Sequence, residues 1–244
     1  MRTIGLIGGM SWESSAEYYR LINTEVNARL GGLHAARSVL LTVDFAEVEA
    51  MQQAGRWEEA GLLLAEAARS LERAGADCVV LCTNTMHKVA DAITGAVGIP
   101  FIHIADATAA AIRAGGLQRV GLLGTRFTME ETFYTGRLTE RYGLEVLVPE
   151  ADDRAVVNRV IYAELCLGAV RAESRAQYRA IMARLAARGA EGIILGCTET
   201  PCWCRRMTAP CRCSTPRVCT PWRRSTSPSP SKRVTIPPRH ASEG

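Results

Sequence analysis

Residues 71–85 read LERAGADCVVLCTNT, and residues 185–199 read LAARGAEGIILGCTE. The two stretches match at an offset of 114. Each closes a helix, turns through Gly-Ala-acid, runs into an apolar strand and ends in a polar loop. A second pair repeats the pattern near the start of each copy. Thr3–Gly8 (TIGLIG) matches Arg119–Gly124 (RVGLLG) at an offset of 116. Self-similarity at a fixed offset points to a duplicated unit. The expected units are a first domain over residues 1–100 and a second over 101–200.

Within each unit, β-rich apolar runs alternate with helical stretches, the pattern of an α/β fold with parallel strands. Strands are expected at Thr3–Ile7, Val39–Val43, Cys78–Leu81, Phe101–Ile104, Val120–Leu123, Glu145–Val148 and Gly192–Leu195. A helix is expected over Trp57–Ala74, with Leu62, Leu63, Ala67 and Leu71 as its apolar stripe and Gly75 just past its end. The architecture that follows is two pseudo-symmetric parallel-sheet domains flanked by helices, with an active site between them.

Ligands of parallel sheets gather outside the carboxyl ends of the strands. Four such ends read Gly8-Gly9-Met10-Ser11, Thr83-Asn84-Thr85, Gly124-Thr125 and Cys197-Thr198-Glu199. A pseudo-two-fold brings them face to face around one small ligand. Thr83 and Cys197 hold equivalent places in the repeat, so a hydroxyl and a thiol are expected on opposite sides of one pocket. Inverting a carbon centre needs a base on one face and an acid on the other. A thiol suits the task, because its pKa, about 8.5 when free, falls at an electropositive loop. An inert core cysteine is the bland alternative for Cys197. Its place at a strand end between Gly196 and Thr198 argues for chemistry instead. Cys82 precedes the loop and reads as a core or wall residue, while Cys78 and Cys166 read as structural.

The last 44 residues differ from the rest. Residues 1–200 carry 20 Lys and Arg against 24 Asp and Glu, whereas residues 201–244 carry nine against one. The tail also holds eight of the ten prolines and five of the nine cysteines. The net charge of +4 therefore says nothing about a basic surface on the main body. Cys202-x-Cys204 and Cys211-x-Cys213 lack the two-residue gap and partner histidines of common zinc modules. A nucleic-acid arm would need stacking aromatics at regular spacing, which the tail does not have. A third account is a shifted reading frame in a GC-rich gene, which enriches Pro, Thr, Ala, Ser, Arg, Cys and Trp. Joining each codon's third base to the next codon's first two tests it. Cys202–Trp203 then gives Leu, Trp203–Cys204 gives Val and Met207–Thr208 gives Asp. With G or C favoured at open positions, the run reads like LLVSADDCPVPLFDTTRLHAVAAVDFALS, a strand, a turn and an amphipathic helix. On this account residues 201–244 are a frameshifted tail without ordered structure, and the lost helix would have returned to the first domain.

The runs GLIGGMSWES, RLGGLH, LCTNTMHKVADAI, FIHIADAT, LLGTRFTMEETFY and GCTE resemble the broad-specificity amino-acid racemase branch of the aspartate/glutamate racemase family. The resemblance covers roughly residues 1–200. It implies two-base catalysis on free amino acids with no cofactor, neither pyridoxal nor metal. The family's first motif is Cys-Asn-Thr-x-His. Here Asn84, Thr85 and His87 fit, but Thr83 stands where the family has its first thiol. A hydroxyl is a weaker acid and its anion is harder to form, so slow or one-sided racemisation is expected.

Further substrate contacts follow from loop position and from the resemblance. Asn84, Thr85, Thr198 and Glu199 offer amides and side chains to the substrate carboxylate and amine, with loop capping as the alternative. Met10 is expected to line the pocket through its backbone. Gly8-Gly9 is not a GxGxxG nucleotide loop. Gln52 and Glu164 stand where the resemblance implies substrate contacts, and Thr125 mirrors Gly9–Met10 in the repeat. His87 reads as a helix-start packing residue able to orient Thr85, and His103 as a buried strand histidine.

The composition, 48% hydrophobic and 22% charged, fits a globular enzyme rather than a disordered chain. The N-terminal apolar run is too short for a signal-peptide core, so a cytoplasmic location is expected. The expected partner is a small-molecule amino acid substrate, with no nucleic acid and no membrane; nothing in the sequence opposes a homodimer. Two other readings stay open. One is a single-cysteine decarboxylase or cis–trans isomerase of the same fold, and the other is an inactive truncated product.

Overall fold

The computed structural model describes residues 1–169, 171–196, 211–215 and 218–221. Its strands form two sheets. The first contains β1 (Ile4–Gly8), β2 (Ser38–Thr42), β3 (Cys78–Leu81) and β4 (Phe101–Ile102), in the order β2-β1-β3-β4 and all parallel. The second contains β5 (Arg119–Leu123), β6 (Glu145–Leu147), β7 (Gly192–Leu195), β8 (Cys211–Thr215) and β9 (Val218–Pro221), in the order β6-β5-β7-β9-β8. β5 pairs in parallel with β6 and β7, as β1 does with β2 and β3. The duplicated pattern in the sequence is thus a duplicated strand order.

Parallel sheets need cover on both faces. One face of the first sheet is covered by α2 (Phe45–Gln53), α3 (Trp57–Arg73) and α4 (Ala90–Thr94), whose Val48, Leu64, Ala68, Leu71 and Ile93 are buried with Ile7, Val79 and Leu81. The other face receives α1 (Trp12–Leu30), which sets Tyr18 and Ile22 on Leu6, Val80 and Cys82. The second core draws on α5 (Ile104–Ala114), α8 (Ala151–Ala163) and α9 (Ala172–Ala187), and on the short α6 (Arg126–Glu130) and α7 (Thr132–Gly136). α5 follows directly on the last strand of the first sheet, yet Ile104, Ala105, Ala109 and Ile112 are buried in the second core.

Three expectations need correction. α3 does not bury Leu62, which is 62% exposed; its core face is Ala60, Leu64, Ala67, Ala68 and Leu71. That set follows helical spacing, and Leu62 lies off it. β4 stops at Ile102, because His103 turns the chain and caps α5, Nδ1 accepting from the Ala105 N–H at 3.2 Å. The segment after residue 201, expected to lack ordered structure, carries β8 and β9. β9 runs antiparallel to β7, pairing Ile193 with Cys219 and Ile194 with Val218. A central strand such as β7 would otherwise leave a row of backbone groups unpaired, and β9 fills it. In the first sheet the equivalent neighbour of β3 is the parallel β4, so the repeat symmetry breaks at this position.

Candidate active site

The carboxyl ends of β1, β3, β5 and β7 surround one cleft. Residues of the first sheet's loops supply Met10, Gln52, Thr83, Asn84 and Thr85, and the second supplies Thr125 and Gly196. Phe45, Ile161, Tyr162 and Cys166 complete the wall.

Each loop is held by its own sequence. After β1, Gly9 has φ +99°, and a Cβ there would come within 2.1 Å of the Val43 carbonyl oxygen. Only glycine fits that approach. The Gly9 N–H donates to Ser15 Oγ at 2.8 Å, and Ser11 caps α1. Ser14 Oγ donates to the Cys82 carbonyl at 2.6 Å, tying the first loop to the end of β3. In the β3 loop, His87 is 3% exposed and its ring is bonded at both nitrogens. The Ile104 N–H donates to Nε2 at 3.1 Å. The proton therefore sits on Nδ1, which donates to the Thr83 carbonyl at 2.8 Å. His87 thus fixes the Thr83 backbone rather than Thr85, and links it to the first residue of α5. Among the described residues the Thr83 hydroxyl has no hydrogen-bond partner, so it is open to the cleft.

The two halves meet across the cleft through side chains. Thr85 Oγ1 lies 2.8 Å from Thr125 Oγ1, which also bonds Thr128 Oγ1 and caps α6. Tyr162 OH donates to Gln52 Oε1 at 3.1 Å, and Gln52 Nε2 contacts Met86 Sδ at 3.0 Å. Behind the β3 loop, His103 packs edge-on against His87 with ring centroids 4.5 Å apart. Burial, helped by the Arg137 guanidinium, pulls the His103 pKa down to about 4. The Arg137–Asp106 pair, bonded at 2.6 Å, holds the Asp106 carboxyl at about 2.

Of the residues expected at the site, Met10, Gln52, Thr83, Asn84, Thr85 and Thr125 line the one cleft. Glu164 is 2% exposed but not among the lining residues; it lies in the chain between Tyr162 and Cys166, which are. Cys197, Thr198 and Glu199 lie outside the described residues; Gly196, immediately before them, lines the cleft. Cys166, read as structural, is in fact part of the wall, because the chain turns back at the end of α8 beside Tyr162. Phe45, Ile161 and Tyr162 were not foreseen. The run Ile161–Leu165 held the only available signal.

A family profile for Asp/Glu/Hydantoin racemases matches residues 7–216. The chain belongs to that family. A candidate Asp/Glu racemase from Yersinia pestis is 57% identical, over 82% of this chain and 86% of that one, with a TM-score of 0.76. An aspartate racemase homologue from Pyrococcus horikoshii is 36% identical, over 82% and 87%, with a TM-score of 0.69. The aspartate racemase of Picrophilus torridus, 20% identical over 83% of each chain with a TM-score of 0.67, shares the fold. The family supports a racemase-type function for this chain. Among the described residues no helix is long and apolar enough to cross a membrane.

Proposed function

We propose that this protein is a cofactor-independent racemase of free amino acids, using Thr83 and Cys197 as the acid–base groups on the two faces of Cα. The observation that carries the reading is the Thr83 hydroxyl, unengaged among the described residues, in a cleft at four strand ends, at the place the repeat equates with Cys197. In one direction the Cys197 thiolate takes the Cα proton while the Thr83 hydroxyl delivers one to the opposite face. The neutral donors of Asn84, Thr85 and Thr125 suit the substrate carboxylate. A thiolate is accessible near neutral pH and an alkoxide is not, so Cys197 exchanges the Cα proton on its own face faster than Thr83, which must give up a proton as an alkoxide, completes inversion.

Deuterium exchange at Cα, followed from each enantiomer in D₂O, tests this reading. Cys197→Ser should abolish exchange from the favoured enantiomer, and Thr83→Cys should equal or exceed the parent rate from the other. The proposal fails if Thr83→Cys is inactive while Thr83→Ala is unimpaired. The hydroxyl at Thr83 also favours a second reading, a one-thiol decarboxylase or cis–trans isomerase. Loss of CO₂, or isomerisation of an unsaturated diacid, without exchange into either amino-acid enantiomer would select it. We also propose that residues 201–244 come from a shifted frame, a reading in keeping with the antiparallel β9 where the repeat calls for a parallel strand. Resequencing across codon 200 decides it.

A further inference from the structure

Little room is left in the cleft. Its free volume is about 30 Å³, space for roughly one or two waters. Even the smallest free amino acid has more non-hydrogen atoms than that space holds. A wall must move before an amino acid enters.

The strand-end loops are pinned. The Gly9 N–H is held by Ser15, the end of β3 by Ser14, the Thr83 carbonyl by His87, and Thr125 caps α6. At the end of α8 the backbone is anchored too, because Ile161 and Leu165 are each 2% exposed and packed in the second core. The side chains of Tyr162 and Cys166 are different. They are only partly buried, and both line the cleft. Two ties hold Tyr162 across to α2. Its OH donates to Gln52 Oε1 at 3.1 Å, and its ring stacks on Phe45 with centroids 6.5 Å apart and planes within 11°. A change of Tyr162 rotamer breaks both ties and takes the ring out of the wall while Ile161 and Leu165 stay in place.

The tie to Gln52 also occupies a group a ligand would use. Gln52 lines the cleft and is 3% exposed, with its Nε2 on Met86 Sδ at 3.0 Å. Its carbonyl oxygen is the atom able to accept from a substrate ammonium, and Tyr162 is bonded to it.

Resting on the racemase reading for the class of ligand, we infer that Tyr162 is a gate. Its side chain closes the cleft in the free protein and swings out to admit the amino acid, which takes over Gln52 Oε1. Only the open fraction binds, so the apparent Kd exceeds the intrinsic one by the inverse of that fraction. Loosening the latch therefore strengthens binding, whereas loss of a substrate contact weakens it.

Cys166 reports the gate without any substrate, since its side chain shares the wall with Tyr162. The full chain is labelled with methyl methanethiosulfonate, and modification of Cys166 is read by peptide mass spectrometry apart from the other cysteines. Access is measured alongside as kcat/KM for Cα deuterium exchange of L-aspartate. Tyr162→Phe keeps the ring and removes the latch bond; it should speed Cys166 labelling fivefold or more and raise kcat/KM threefold or more. Phe45→Ala removes the stacking partner and should speed labelling as well. Unchanged labelling in either variant overturns the inference, whatever exchange does. Faster labelling with a lower kcat/KM in Tyr162→Phe also overturns it, because Tyr162 is then a substrate contact. Faster labelling with no exchange in parent or variant keeps the gate and removes the racemase reading.

Discussion

Replacing His87 by Phe isolates what its two ring hydrogen bonds contribute, because the ring volume and the packing against Phe101 and His103 are kept. The substitution orphans two buried backbone groups, the Thr83 carbonyl and the Ile104 N–H, which His87 satisfies at 2.8 and 3.1 Å. Each buried group left unpaired costs about 1–3 kcal/mol, so a loss of roughly 2–6 kcal/mol is expected. For a chain of this size that is a fall in Tm of about 4–24 °C. Urea unfolding followed by circular dichroism measures it, and amide exchange at Ile104 reports the freed donor directly. Because the Thr83 backbone is released, turnover should fall more than substrate affinity. A loss below about 1 kcal/mol with Ile104 still protected would refute the assignment of both bonds to His87.

Three further outcomes are expected. The His103 pKa is lowered to about 4 by burial, so the folded state disfavours its protonation and this contribution is full above the unfolded value of 6.5 and lost as pH falls toward 4; His103→Asn, which can still cap α5, should flatten the stability curve over that window in acid-titrated melts. Thr85→Val and Thr125→Val should each cost about 1–2 kcal/mol, the second more because it also uncaps α6, and a double-mutant cycle should return about 0.5–1.5 kcal/mol of coupling if the 2.8 Å bond spans the halves; additivity would show that it does not. Gly9→Ala should cost about 3 kcal/mol or more, since a Cβ meets the Val43 carbonyl at 2.1 Å with φ at +99°; an unchanged denaturation midpoint would show that the loop can relax.

Repeats made the fold legible in the sequence. Matching TIGLIG with RVGLLG, and the two helix–turn–strand units, led to paired sheets and to one set of facing loops, and six of the expected residues line the cleft. The strand period located Cys82 correctly in the core beside Leu6 and Tyr18. What was missed depends on contacts distant in sequence. Cys166 and Tyr162 reach the wall only because α8 ends there, and no local period encodes where a helix end lies against another half of the chain. Leucine is more apolar than alanine, yet Leu62 faces solvent; helix spacing, not hydrophobicity, chose Ala60, Leu64 and Ala68. The apolar run Phe101–Ile104 reads as strand throughout, whereas the His103 ring nitrogen competes for a helix N–H.

The helix that seals the second core has an awkward place in the order of synthesis. α5 is complete at Ala114, but the strand it helps to bury, β7, is not finished until Leu195. At ribosomal rates of about 5–20 residues per second, Ile104, Ala109 and Ile112 therefore wait roughly 4–16 s for their partners. The first sheet can close early on α2, α3 and α4, all made before residue 95. On a nascent chain the apolar face of α5 is thus the surface a chaperone would have to shield, and changes that make it stickier would be felt in yield before they were felt in the finished fold.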